Sequence, residues 1–252
     1  MISFVGAGPG APDLITLRGR DRLAEADVVV WASSLVPEAV LGHAKRGAAI
    51  HDSAAVTLED VLAVYAANEG GRIVRLHSGD PSVYGAIQEQ IDWCLANSRD
   101  FEIVPGVSSL AAAAAALQRE LTIPAVSQSV VLTRLAGRTK ASMPKRESVA
   151  AFAVHRATMA VFLSAARPGE LQDELLAGYP PDTPAAIVVR ASWPDERVVR
   201  TSVEHLRHDL AATGARTTVL VLVGDALADR PAARSHLYSP GYSHKFRKAT
   251  LA

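Results

Sequence analysis

Two short stretches carry residue types and spacings that could do chemistry. Residues 4–12 read FVGAGPGAP and contain Gly6-x-Gly8-x-x-Ala11, the spacing of a dinucleotide-binding turn. Residues 76–86 read LHSGDPSVYGA and place Gly79 and Asp80 between an apolar run and a helical pattern. Asp80 followed by Pro81 reads as a helix start, a carboxylate cap with proline in the first helical position. After the next apolar run, PGVSS sets Ser108 and Ser109 at a helix N-terminus. Their hydroxyls and amides would face the same crevice as Gly79 and Asp80. That crevice lies at the carboxyl ends of strands, where open α/β sheets bind ligands.

The glycine turn fits a nicotinamide site poorly. Such a site starts its helix at the glycines, so that the helix N-terminus faces the pyrophosphate. Pro9 and Pro12 fall where that helix should begin, and Thr16 is the more natural cap. A ribose-binding carboxylate is also missing, because the second apolar run ends VVVWASS. Without a ligand, the same glycines would serve a tight strand-to-loop turn.

The elements that must position these loops alternate in type. Ile2 to Val5, Asp27 to Trp31, 71–76 and 101–104 read as strands; Thr16 to Ala26, Thr57 to Asn68, Val83 to Ala96 and an alanine-rich run ending near Leu117 read as helices. Alternation of this kind predicts a parallel sheet covered by helices. After QRELTIPAV the pattern changes. SVVLT, MAVFLS, PAAIVVR, RVVRTS and TTVLVLVG read as strands, with helices at Glu147 to His155, Pro168 to Ala177 and Val203 to Ala212. The expected class is α/β with two domains, residues 1–117 and 122–229, followed by a loosely packed basic tail, 230–252.

Composition narrows the function. The chain has 252 residues, 49% of them hydrophobic, with 26 basic and 26 acidic side chains. A neutral balance disfavours nucleic acid as a partner. The one cysteine, Cys94, rules out a disulfide framework and a cysteine-rich metal site, and reads as a buried thiol. No apolar run approaches a membrane span and no basic leader precedes one, so a cytoplasmic protein without a membrane partner is expected.

Taken together, VGAGPGAPDLITLRG, VVWASSLVP, HSGDPSVYGA, PGVSSLAAA and LTRLAGRT…MP resemble the tetrapyrrole methylase family, from Met1 to about Gly224. HSGDPS departs from the Lys-Gly-Gly-Asp-Pro form of the uroporphyrinogen methylases, which favours the later corrin-ring enzymes. The resemblance implies two α/β domains with S-adenosylmethionine (SAM) in a cleft between them, and a homodimer. It also implies methyl transfer to a ring carbon, and the motifs look most like the branch that methylates C-11 of precorrin-4 in cobalamin biosynthesis. It assigns cofactor contacts to Pro9, Ser78, Gly79, Asp80, Val83, Ser108 and Ser109. From the second half it assigns Leu163, Ser164, Ala191, Thr218 and Val219. The region of Ser33 and Ser34 would lie near the tetrapyrrole.

Methyl transfer from a sulfonium needs alignment and exclusion of water, not a protein nucleophile. No Ser-His-Asp or Cys-His arrangement is legible, and no catalytic residue is assigned; His77 and Tyr84 read as structural. A tetrapyrrole bearing acetates and propionates is a polyanion. Residues 121–146 contain no acid and hold Arg134, Arg138, Lys140, Lys145 and Arg146, a local positive field suited to carboxylates. Arg134 and Arg138, with their bidentate forks, are the expected substrate contacts. A solvated basic loop is the plainer alternative.

Overall fold

The computed structural model describes residues 1–229 and 235–250, without the side chains of residues 138–140. Its contacts divide the chain into two compact units. One holds Met1–Ala116 and Arg190–Arg197; the other holds Leu117–Val189 and the chain from Val198 onward.

The first unit is built on a parallel sheet of β1 (Ile2–Gly6), β2 (Val28–Trp31), β3 (Ala49–Asp52), β4 (Ile73–His77) and β5 (Phe101–Val104), in the order β3-β2-β4-β1-β5. Side chains alternate across a strand, so β1 feeds two cores. Val5 and Ala7 pack with Leu23 and Ala26 on one side, while Ile2 and Phe4 pack with Val61, Tyr65 and Cys94 on the other. A sheet covered on both faces reads as a run of apolar residues, which is why β1, β2 and β4 are legible. β3 is different: AIHD is exposed throughout and has no apolar pattern, so the sequence reading passed over it.

Helix α1 (Leu17–Glu25) starts where the cap indicated, with Thr16 Oγ1 accepting from the Gly19 amide at 3.1 Å. Helix α2 (Leu58–Ala67) is closed by a capping box between Thr57 and Asp60. Helix α3 (Gln88–Ala96) begins later than expected. Residues 81–84 form turns, and Tyr84 and Ala86 take φ of 57° and 50°. Left-handed residues break the helical ladder, so Asp80 does not cap a helix. Helix α4 (Ser109–Leu117) follows β5, and Ser108 Oγ accepts from the Leu110 amide at 3.2 Å.

The second unit holds β6 (Val130–Arg134), α5 (Val149–Ala153), β7 (Thr158–Phe162), α6 (Pro168–Leu176), β8 (Pro184–Val189), β9 (Arg197–Ser202), α7 (Leu206–Ala212) and β10 (Val219–Val223). Its sheet runs β6-β7-β10-β8-β9. β6 and β7 are parallel, while β10 is antiparallel to both β7 and β8. One face packs on α5, α6 and α7 through Val149, Leu171, Leu175, Leu206 and Leu210. The described tail, residues 235–250, carries a local hydrogen-bond cluster. Arg247 Nη2 donates to the carbonyls of Leu237, Ser239 and Tyr242 at 2.7, 2.8 and 3.3 Å. No helix among the described residues is long and apolar enough to cross a membrane.

Candidate active site

Three loops of the first unit leave the carboxyl ends of neighbouring strands β4, β1 and β5 and cross there. Gly8 and Gly79 form a two-residue bridge, Gly79 N donating to Gly8 O at 2.8 Å and Gly8 N to Gly79 O at 3.3 Å. Gly6, Gly79 and Gly106 meet almost backbone to backbone. A Cβ on Gly106 would lie 2.1 Å from Gly79 O and 2.7 Å from Gly6 Cα. Only glycine permits that approach.

Asp80 fastens the crossing. Its Oδ2 accepts from the Gly106 amide at 2.9 Å; its Oδ1 accepts from the Ser82 amide at 2.8 Å and from the Ser82 hydroxyl. Burial works against the charge, but the bonds from Ser82 and Gly106 outweigh it and hold the carboxyl below its ordinary range. A carboxylate offers about four lone-pair sites, so Oδ2 keeps one for a ligand.

His77 ends β4 beneath these loops. It is 7% exposed, and its Nε2 has no hydrogen-bond partner among the described residues. Burial, then the nearby Arg75 guanidinium, push its pKa down to about 3, against a hydrogen bond with the Gly85 backbone. His77 is therefore a neutral ring at ordinary pH, in keeping with a structural role.

A fourth segment reaches the first loop. Residues 190–197 group with the first unit, although the sequence reads PAAIVVR and RVVRTS as strands of the second half on either side of ASWPDE. Trp193 Nε1 donates to Pro9 O, and Ser192 Oγ accepts from the Ala11 amide, both at 3.0 Å. Ala191, expected from the second domain, is 7% exposed within this segment. Sequence reasoning missed Ser192 and Trp193. The available signal was a tryptophan in a polar turn, since a large ring with one N–H usually finds a partner for both.

The other expected positions divide between the two units. In the first, Pro9 and Gly79 are buried, and Ser78, Val83, Ser108 and Ser109 are half-buried around the crossing. Ser33, also in the first unit, is held by Asp52 through its amide at 3.1 Å and its hydroxyl at 2.6 Å, and Ser34 is exposed. In the second, the β10 register pairs Val219 with Val189 and Val221 with Val161. Leu163, Ser164, Thr218 and Val219 thus collect at one end of the central strands β7 and β10. Ser164 is fully buried, whereas Leu163 is exposed. Leu163 and Thr218 both take positive φ, 53° and 56°, a strained conformation of the kind that clusters at functional sites. Arg134 donates to Ser142 Oγ at 2.9 Å and to the carbonyls of Leu135 and Ala136 at 3.4 Å. The Arg138 side chain lies outside the described residues.

Comparison with known proteins decides the family. The model of the Tetrapyrrole (Corrin/Porphyrin) Methylases matches residues 1–207. The chain belongs to the tetrapyrrole methylase family. It is 45% identical to a cobalt-precorrin-4 C(11)-methyltransferase of Methanocaldococcus jannaschii, over 98% of this chain and 96% of that protein. It is 44% identical to a precorrin-4 C(11)-methyltransferase of Pseudomonas aeruginosa, over 98% of each. Among solved structures, the X-ray structure of a cobalamin biosynthetic enzyme, cobalt precorrin-4 methyltransferase, superposes with a TM-score of 0.86 at 43% identity, covering 90% of this chain and 95% of that one. A uroporphyrin-III C-methyltransferase from Thermus thermophilus, complexed with S-adenosylhomocysteine, gives 0.74 at 29% identity, covering 90% and 98%. Within this family the crossed loops are the natural candidate for the cofactor site, and the crossing explains the glycine spacing that imitates a dinucleotide turn.

Proposed function

We infer that this tetrapyrrole methylase transfers a methyl group from SAM to C-11 of precorrin-4, giving precorrin-5 in cobalamin biosynthesis. The observation that carries the reading is identity of 44–45% over nearly the full length with proteins named for C(11) methylation of precorrin-4 or its cobalt form. SAM supplies a methyl group on a sulfonium, which an electron-rich ring carbon takes by in-line displacement. The residues suit such a cation: no lysine or arginine occurs in 4–17, 76–88 or 104–118, so the crossed loops bring no fixed positive charge of their own. Asp80 keeps the loops crossed, and the amides and hydroxyls of Ser108 and Ser109 are available for polar contacts. Alignment and exclusion of water then supply the rate. Arg134 and Arg138 are the proposed grips for ring carboxylates, and the family resemblance adds a homodimer.

The test incubates purified protein with SAM and either metal-free or cobalt-containing precorrin-4. Both rings are used because relatives named for each match equally well. The expected product gains one methyl, located at C-11 by NMR. Methylation at another carbon would overturn the assignment, and tight NADH binding without SAM turnover would overturn the reaction class.

A further inference from the structure

We propose that Trp193 and Ser192 are positioning residues for the cofactor loop. The proposal rests on the reading of that loop as the SAM site. Residues 9–11 of the loop show two polar groups to the 190–197 segment, and both are taken. Trp193 Nε1 holds the Pro9 carbonyl and Ser192 Oγ holds the Ala11 amide, each at 3.0 Å. Between those anchors sits Gly10, where a Cβ would lie 2.2 Å from Trp193 Cδ1 and 3.0 Å from Ser192 Oγ. The indole therefore fills the space that any side chain at position 10 would need.

The segment is itself braced, so it can hold rather than follow. The Arg190 guanidinium stacks 4.1 Å from the centroid of the Trp193 ring and pairs with Asp195 at 3.1 Å. The Ser192 amide donates to Glu196 Oε2 at 2.6 Å, and the Trp193 amide to Arg190 O at 2.9 Å. Arg190 and Ser192 take φ of 52° and 66°, a conformation uncommon outside glycine that persists only where surroundings impose it. Two hydrogen bonds and one interlocked ring fix the path of the loop from Pro9 to Ala11. Loop placement of this kind changes affinity for what the loop holds, without touching the reacting atoms.

The experiment measures S-adenosylhomocysteine affinity by calorimetry and steady-state kinetics with varied SAM. Trp193→Phe keeps an aromatic ring beside Arg190 but loses the donor to Pro9. Its dissociation constant should rise about three- to tenfold, the value of one neutral hydrogen bond. The loss should appear in KM for SAM more than in kcat, with KM for the tetrapyrrole nearly unchanged. Ser192→Ala should act in the same direction and carries the test alone if the tryptophan variant does not fold. Gly10→Ala should weaken binding in the wild-type background and do much less harm alongside Trp193→Ala, which vacates the space. Unchanged affinity in folded variants, or a fall in kcat with KM for SAM unmoved, would overturn the proposal. Failure of the unaltered protein to bind S-adenosylhomocysteine would instead overturn the site reading beneath it.

Discussion

Asp80 was legible as a residue with a task but not as the task it has. Its neighbours in sequence, Pro81 and an apolar run, suggest a cap; its partners in space are Ser82 and, twenty-six residues away, the Gly106 amide. No local rule reveals the second partner. Asp80→Ala should unfasten the crossing, costing about 1.5–3 kcal/mol for a charged hydrogen bond lost. S-adenosylhomocysteine affinity should fall at least tenfold in calorimetry on protein shown to be folded. Intact affinity would leave Asp80 as a local stabiliser of the turn alone. His77 makes a second prediction. Its pKa is about 3 in the folded chain and about 6.5 when unfolded. Between those values the unfolded chain takes up a proton that the folded chain refuses, so stability is lost as pH falls below about 6.5. His77→Phe removes that linkage and keeps the ring beside Phe4, whose centroid is 6.2 Å away. Urea unfolding at pH 7 and 5 should show the wild type losing about 2 kcal/mol more than the variant. Parallel losses would contradict the neutral, buried ring.

At the scale of elements, what the sequence shows is what periodicity controls. β1, β2 and β4 are apolar because both faces are covered, and α1 and α2 announce themselves by Thr16 and Thr57. β3 escaped because an exposed edge strand has no apolar period to display, and the start of α3 because positive φ at Tyr84 and Ala86 leaves no trace in the apolar pattern. The glycine turn was recognisable, yet its partners Gly79 and Gly106 emerge only from the strand order β4-β1-β5. That order makes a prediction about the crossing as a unit. Gly106→Ala pushes a Cβ against backbone on two sides, and backbone cannot rotate away as a side chain can. The expected cost is about 1–3 kcal/mol in denaturant unfolding, with a matching loss of S-adenosylhomocysteine binding. Gly42→Ala, where nothing lies within 4 Å of the added Cβ, should stay within about 0.5 kcal/mol of the wild type. Equal behaviour of the two variants would mean the loops can part without consequence.

For the whole molecule, charge is the property the sequence displays most directly and the fold then qualifies. Basic and acidic residues balance at 26 each, so no global field draws a polyanion; attraction has to be local. The acid-free stretch 121–146 is its proposed source, and Arg134 shows how such a stretch is organised. Its guanidinium already holds Ser142 and two backbone carbonyls at the end of β6, which ties the cation to the 137–142 turn rather than leaving it on a free loop. A ring carboxylate would meet a positive charge already held in place, acting through its field rather than through a free fork. The electrostatic share of ring binding should therefore be sensitive to salt, because the Debye length shrinks from about 10 Å at 0.1 M to about 3 Å at 1 M. Cofactor binding, in loops without lysine or arginine, should not share that sensitivity. KM for the tetrapyrrole should rise steadily with added salt while KM for SAM stays nearly flat. Arg134→Ala should raise the tetrapyrrole KM about ten- to a hundredfold at low salt and flatten its salt dependence, leaving S-adenosylhomocysteine affinity in place. A wild type whose two KM values respond to salt alike would remove the local field from the account. An Arg134→Ala variant that loses ring and cofactor together would reduce the arginine to a brace for the turn it holds.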